Sequence, residues 1–256
     1  MKTLVIDFLV SFPLSSLEWY AVLFCGLCVG LSKTGINTIG LPAVPVLAVV
    51  FGAQPSTGIL LPMLCFADLF AVIYYRRNAE WKYIIRLLPW ALTGFALAIL
   101  TVQWIPAKSF KTLIGACILV GLGVMLWNES RSKDAELPTA WWFTAIFGVM
   151  GGFSAMIGNA AGAIMAVFLL SMRLPKKSFV GTTAWFFLII NLLKLPLQCF
   201  VWHNISGETL LFSLSLLPVI AAGAFLGIVF VKKISEKNYR SVVYALTFVS
   251  TMLLFV

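Results

Sequence analysis

Six stretches of about 20 residues, near 57–76, 83–103, 109–128, 178–200, 208–231 and 238–256, run almost free of charge between short polar loops. They limit the possible folds more than anything else in the chain. Backbone inside a bilayer must satisfy its own polar groups, so each run reads as a membrane-spanning helix. A soluble core fails on composition. Hydrophobic residues make up 61% of the 256 and charged ones 11%, too little polar surface to cover a globule of this size. The expected class is an all-α polytopic membrane protein, with the lipid bilayer as its main partner.

Two more apolar stretches, 17–52 and 139–172, are each cut near the middle by a related polar sequence. The first carries GLSKTGINTIG (30–40) and the second GFSAMIGNAAG (152–162). Gly30, Ser32, Asn37 and Gly40 match Gly152, Ser154, Asn159 and Gly162 without a gap. The pieces on either side are mostly shorter than the roughly 20 residues a span needs. Each stretch therefore reads as a broken or re-entrant helical hairpin whose non-helical loop lies inside the membrane. The alternative is two ordinary spans joined by a surface turn. With the six runs, this makes about 8–10 helical segments. The opening MKTLVIDFLVSFPLSSLEW has Asp7 and Pro13 in its apolar part and no small-x-small cleavage site. It is expected to be retained, at the interface.

The charge is uneven. Eighteen basic against nine acidic residues leave +9, which in a soluble protein would suggest nucleic acid. Here one alternation explains it. With Arg76, Arg77, Lys82, Arg86, Arg131, Lys133, Arg173, Lys176, Lys177, Lys232, Lys233, Lys237 and Arg240 inside, only Lys2, Lys108 and Lys111 fall outside. Lys33 and Lys194 remain within the apolar runs. Trp81, Trp104, Trp127, Trp141, Trp142 and Trp202 lie near span ends, as interfacial anchors do. No nucleic-acid partner is expected, and the location is the plasma (inner) membrane.

The internal match extends past the loops. Gly58 aligns with Gly181 and Asp68 with Asn191, while PWALTGFALA (89–98) aligns with PVIAAGAFLG (218–227). Small residues four apart suit close helix packing. The matched segments have opposite orientations in the topology, which defines an inverted-topology repeat of the kind common in secondary transporters. The expected organisation is a first repeat over 1–128, a cytoplasmic linker over 129–138, and an inverted second repeat over 139–256.

Glycine lets the chain leave the helix at membrane depth, and serine and asparagine satisfy the freed backbone groups. A second short helix is expected to start near Gly40 and again near Gly162, with Pro42 in the opening turn of the first. Helix N-termini carry unpaired N–H donors and partial positive charge. Two of them brought near the midplane would hold an anion. The candidate substrate-binding residues are Ser32, Lys33, Asn37, Gly40, Ser154, Asn159 and Gly162. Lys33 adds a full charge on one side only, because its match is Ala155. The alternative is that the motifs only allow tight helix crossing.

Lys33, Asp68 and Lys194 lie deep, where each charge costs about 2.5–3.5 kcal/mol on insertion scales. Asp68 could pair with Lys33 or carry a coupling proton, the alternative being a purely structural Asp68–Lys ion pair, and Asn191 keeps the hydrogen bonding without the charge. Lys194 either assists there or snorkels outward. His203 falls in an outer loop, solvated. Cys25 and Cys28 form a C-x-x-C whose matches are Phe147 and Met150, so packing is favoured over a symmetric thiol relay. No metal-ligand cluster, cofactor motif or P-loop is present, and no enzymatic chemistry is expected.

In order along the chain, GLSKTGINTIGLPAVPVL, GAQPSTGILLPMLCFAD, YYRRNAEW, PWALTG and GFSAMIGNAAG resemble the sulfite exporter TauE/SafE family of membrane permeases. The resemblance covers nearly the whole chain. It implies a compact permease of about eight helices that moves sulfite, sulfoacetate or related sulfur-containing anions. It carries over Ser32, Lys33, Asn37, Ser154, Asn159 and Asp68, although the second loop lacks a basic residue beside it. The expected function is secondary transport, as an exporter of small sulfur-containing anions, by alternating access around a midplane site. The alternatives are transport of another small anion such as a carboxylate, or a membrane thiol-redox or assembly subunit using Cys25 and Cys28.

Overall fold

Helix α1 (Ser16–Thr34) begins at a reciprocal cap. The Ser15 hydroxyl accepts the Glu18 N–H at 3.4 Å, and the Glu18 carboxylate accepts the Ser15 N–H at 2.7 Å. The computed structural model that shows this describes residues 14–101, 140–158 and 161–252. The expected span at 109–128, the linker at 129–138 and Asn159 lie outside the described residues.

After α1 the chain makes a single 3-10 turn (Asn37–Gly40) and then a short helix, α2 (Ala43–Phe51). Pro42 occupies the N-cap of α2, so that helix starts three residues after Gly40 rather than at it. The 3-10 turn occupies the gap. Gly52, at φ 89°, then turns the chain directly into α3 (Ala53–Tyr75). The other helices are α4 (Trp81–Thr101), α5 (Trp141–Gly158), α6 (Ala161–Ser171), α7 (Lys176–Pro196), α8 (Gly207–Ser215), α9 (Leu217–Lys233) and α10 (Glu236–Met252). A π turn (Leu197–Val201) extends α7. No strand occurs among the described residues.

Three of these helices are long and apolar enough to cross a bilayer: α3, α4, and α7 with its π turn. The run expected as one span over 208–231 is two helices, α8 and α9, bent by 48°. Pro218 accounts for the break, since it has no N–H for the Leu214 carbonyl and its ring crowds that turn. Of the 238–256 run, the part through Met252 is described, as α10. The second limbs of both hairpins are short. At 1.5 Å per residue, α2 spans about 14 Å and α6 about 17 Å, against a hydrocarbon core of about 30 Å. Exposed Ile73, Ile85, Leu100, Phe200 and Phe225 are what lipid-facing helices carry.

The chain divides into two compact units, residues 1–74 with 187–232, and residues 75–186 with 233–256. In the first, Val22, Cys25, Val29, Leu47, Met63 and Phe212 are among the residues of an apolar core. The Phe212 ring meets Trp19 at 5.7 Å and Phe51 edge-on at 5.4 Å. In the second, Phe143, Phe147, Phe168 and Tyr83 form an aromatic cluster around α6. Every residue from Ala161 to Leu170 is buried, as a helix apolar on all sides requires. Arg240 donates to the Leu170 carbonyl at 3.0 Å and so caps the end of α6.

Within each unit, a hairpin lies backbone to backbone against a helix from the other half of the sequence. A β carbon at Gly30 would fall 2.0 Å from the Ile220 carbonyl oxygen, and one at Gly223 would fall 2.1 Å from that of Leu27. In the other unit, a β carbon at Gly152 would fall 1.9 Å from the Ala91 carbonyl oxygen, and one at Gly94 would fall 2.0 Å from that of Val149. Both partners match in each case. Ile220 aligns with Ala91 and Leu27 with Val149 in the same registers that align the glycines.

Candidate functional site

The last turn of α1 carries three buried polar side chains in succession, Ser32, Lys33 and Thr34. Each is used differently. The Ser32 hydroxyl donates to the Val29 carbonyl at 2.8 Å, returning to its own helix. Thr34 donates to the Ala224 carbonyl at 2.7 Å, tying the end of α1 to α9. A β carbon at Gly35 would meet the Leu31 carbonyl oxygen at 2.7 Å, so only glycine fits where the chain leaves the helix.

Lys33 points into the unit and is 7% exposed. Its Nζ lies 3.0 Å from Asp68 Oδ1 and donates to Oδ2 at 3.2 Å. Oδ1 is near enough for an ion pair but is out of line for a hydrogen bond, and it has no other partner among the described residues. Asp68 is wholly buried, and its Oδ2 also accepts the Asn191 amide N–H at 2.7 Å. Asp68 and Asn191, which align with each other in the sequence, therefore bond directly to each other. The Phe187 ring lies under the Lys33 ammonium, 4.3 Å from its centroid.

Phe187, Asn191 and Lys194 fall at i, i+4 and i+7 on α7, one face of the helix. Lys194 is 1% exposed, which corrects the expectation that it might snorkel outward. It is buried in the same unit as Lys33 and Asp68. Burial of such charges is costly unless each is paired or functional. The pairing of Lys33 with Asp68 follows from their depth in the sequence. Phe187 was not singled out, although its spacing from Asn191 was available as a signal.

The first loop is closely packed. A β carbon on Gly40 would lie 2.7 Å from the Ser32 hydroxyl oxygen, so these two candidate residues touch. Asn37 opens the 3-10 turn and is partly exposed. Thr38, also missed by sequence reasoning, is buried, and its hydroxyl has no hydrogen-bond partner among the described residues.

The second loop belongs to the other unit. Ser154 is 1% exposed, and its hydroxyl has no hydrogen-bond partner among the described residues. Gly162 is buried in the first turn of α6. Ala155, where the first hairpin has Lys33, is buried as well. Cys25 lies in the apolar core of the first unit, and Cys25 and Cys28 are both buried free thiols. His203 is exposed in the loop after α7. Among the described residues, no group of three or more His, Cys, Asp or Glu could hold a metal ion.

A buried ion pair within apolar helices is rare and marks a functional site. A family comparison gives its class. The model for the sulfite exporter TauE/SafE family matches residues 22–254, and the chain belongs to that family. It is therefore a multi-pass membrane transporter. The comparison with curated proteins finds no match, and neither does the comparison with solved structures.

Proposed function

From this family membership, we propose that the chain is a secondary transporter of the plasma membrane that exports small sulfur-containing anions such as sulfite or organosulfonates. The observation that carries the reading is the Lys33 ammonium, buried in the last turn of α1 directly before the loop and held by Asp68. Ser32, Asn37 and Gly40 surround that exit from the helix. Ser154, Asn159 and Gly162 are the matching donors and glycine of the second hairpin, and the buried Ser154 hydroxyl, without a hydrogen-bond partner among the described residues, supports a ligand role for them. Asp68, Asn191 and Lys194 form the supporting layer, with Asp68 as the group that exchanges with the cargo for Lys33.

The transport cycle we infer is alternating access by an inverted-topology repeat, 1–128 and 139–256. The matched glycine contacts support it. Gly30 on Ile220 repeats as Gly152 on Ala91, and Gly223 on Leu27 repeats as Gly94 on Val149. Equivalent packing in the two halves lets two conformations of similar energy exchange roles. Export is favourable without strong coupling, because an anion gains about 2.3 kcal/mol per charge per 100 mV on leaving a negative interior.

The test is flux from vesicles reconstituted with the purified protein. Lys33→Ala is expected to abolish sulfite and methanesulfonate efflux, and flux at the native rate would overturn the site. Cys25→Ser/Cys28→Ser is expected to transport normally. Loss of flux with intact folding would instead favour thiol chemistry. Retained efflux of acetate alone would reassign the cargo to carboxylates.

A further inference from the structure

A single turn of α7 reaches both members of the buried ion pair. Phe187 and Asn191 stand four residues apart on one face of that helix, and both are buried. The Phe187 ring carries the Lys33 ammonium, 4.3 Å from its centroid, and the Asn191 amide donates to Asp68 Oδ2 at 2.7 Å. The two ions hold each other less closely. Lys33 makes one hydrogen bond to the carboxylate, at 3.2 Å on that same oxygen, and its 3.0 Å approach to Oδ1 is out of line. The desolvation of a buried pair is offset only by close geometry and full hydrogen bonding. This pair falls short of that, and each ion instead keeps a second, uncharged partner on α7. All four side chains belong to the unit formed by 1–74 and 187–232.

We propose that Phe187 and Asn191 make this ion pair separable: the cargo anion takes the place of Asp68 at Lys33, while the ring retains the ammonium and the amide retains the carboxylate. The inference rests on the transport reading above and deepens it, by adding Phe187 to the site. Stripping a buried ion of its counter-ion is ordinarily strongly unfavourable. A neutral amide lowers that cost for Asp68 without competing for Lys33. An aromatic face does the same for Lys33, and it sets no full negative charge against an arriving anion. The two residues act at different steps. An ammonium already neutralised by a carboxylate gains little from the ring, and one between partners gains most, so Phe187 governs the rate of exchange. Asn191 is the partner Asp68 keeps once the cargo is seated, so it governs affinity. Both are positioning residues, acting on the cargo through Lys33 and Asp68.

Fluorinated phenylalanines at position 187 test this, because they keep the ring's shape while draining negative charge from its face. In vesicles reconstituted with the full-length protein, the maximal rate of methanesulfonate efflux is expected to fall stepwise from mono- to trifluorophenylalanine, by about fivefold or more in total. The half-saturating concentration should stay within about twofold of native. Asn191→Leu is expected to act on affinity instead, weakening methanesulfonate binding in nanodiscs, read by calorimetry, by about tenfold or more. Asp68→Asn/Asn191→Leu should bind within about twofold of Asp68→Asn alone, since no carboxylate is left to hold. A merely structural role would lower the melting temperature without separating rate from affinity. An efflux rate independent of fluorine number, or native affinity in Asn191→Leu, would overturn the proposal. If Asn191→Leu does not fold, the fluorine series decides by itself. A native protein that neither binds nor exports methanesulfonate would sink the transport reading, whereas native efflux with a flat fluorine series would sink only the separable pair.

Discussion

At Lys33 the first hairpin buries an ammonium against Asp68, whereas at the matching Ala155 the second hairpin buries a methyl group. The second limbs differ too. α2 is only partly enclosed and follows a 3-10 turn, while α6 is buried along nearly its whole length among aromatic rings. What the hairpins share is their seating. Each places glycine backbone on carbonyls of α4 or α9, at matched positions and nearly equal separations. Packing is duplicated and charge is not. On the transport reading proposed above, the duplicated part suits a framework that adopts two equivalent arrangements, and the unduplicated part suits a cargo that needs only one cation-bearing loop.

The largest contrast should come from the charged position. Lys33→Ala leaves Asp68 buried without its counter-ion and is expected to cost about 3–5 kcal/mol, whereas Ala155→Gly should cost about 1 kcal/mol. Thermal unfolding in a fixed detergent compares them, and Lys33→Ala/Asp68→Asn should recover most of the lost stability without recovering flux. Equal, small effects at both sites would erase the distinction between the hairpins.

Next in size is the shared seating. Gly30→Ala and Gly152→Ala each drive a β carbon into a carbonyl and are expected to destabilise by about 1–3 kcal/mol, to a similar degree. If one were tolerated and the other not, the packing would not be equivalent. Thr34→Val breaks the bond from α1 to Ala224 and should cost about 1 kcal/mol in the same assay.

The smallest effect is the most diagnostic. Ser32→Ala removes a satisfied hydroxyl and is expected to cost about 0.5–1 kcal/mol. Ser154→Ala removes a buried hydroxyl with no partner among the described residues, so its melting temperature should hold or rise while methanesulfonate affinity falls. Unchanged affinity would rule out Ser154 as a ligand.

Much of this was legible before any coordinates. Hydrophobic run lengths located α3, α4 and α7, because lipid permits few backbone solutions. The sequence GLSKTGINTIG located the break between α1 and α2, its counterpart spans the end of α5 and the start of α6, and the depth of Lys33 and Asp68 suggested that they pair. The sequence pattern was weaker wherever the outcome depended on one turn of backbone. The Pro218 break within an apolar run was passed over, as was the extra 3-10 turn that moves the start of α2 to Ala43. Hydropathy averages over such turns. The direct bond between Asp68 and Asn191 was also hidden, since matching positions in a repeat do not reveal that they lie side by side.

The interlocking of α1 with α9 also has a consequence for biosynthesis. Thr34 and its acceptor Ala224 are 190 residues apart. At ribosomal speeds of about 5–20 residues per second, the first hairpin waits roughly 10–40 s for the helix it must grip. Until then its glycine groove has no lid. Nascent chains stalled before α9 should accordingly be the form most open to quality-control proteases.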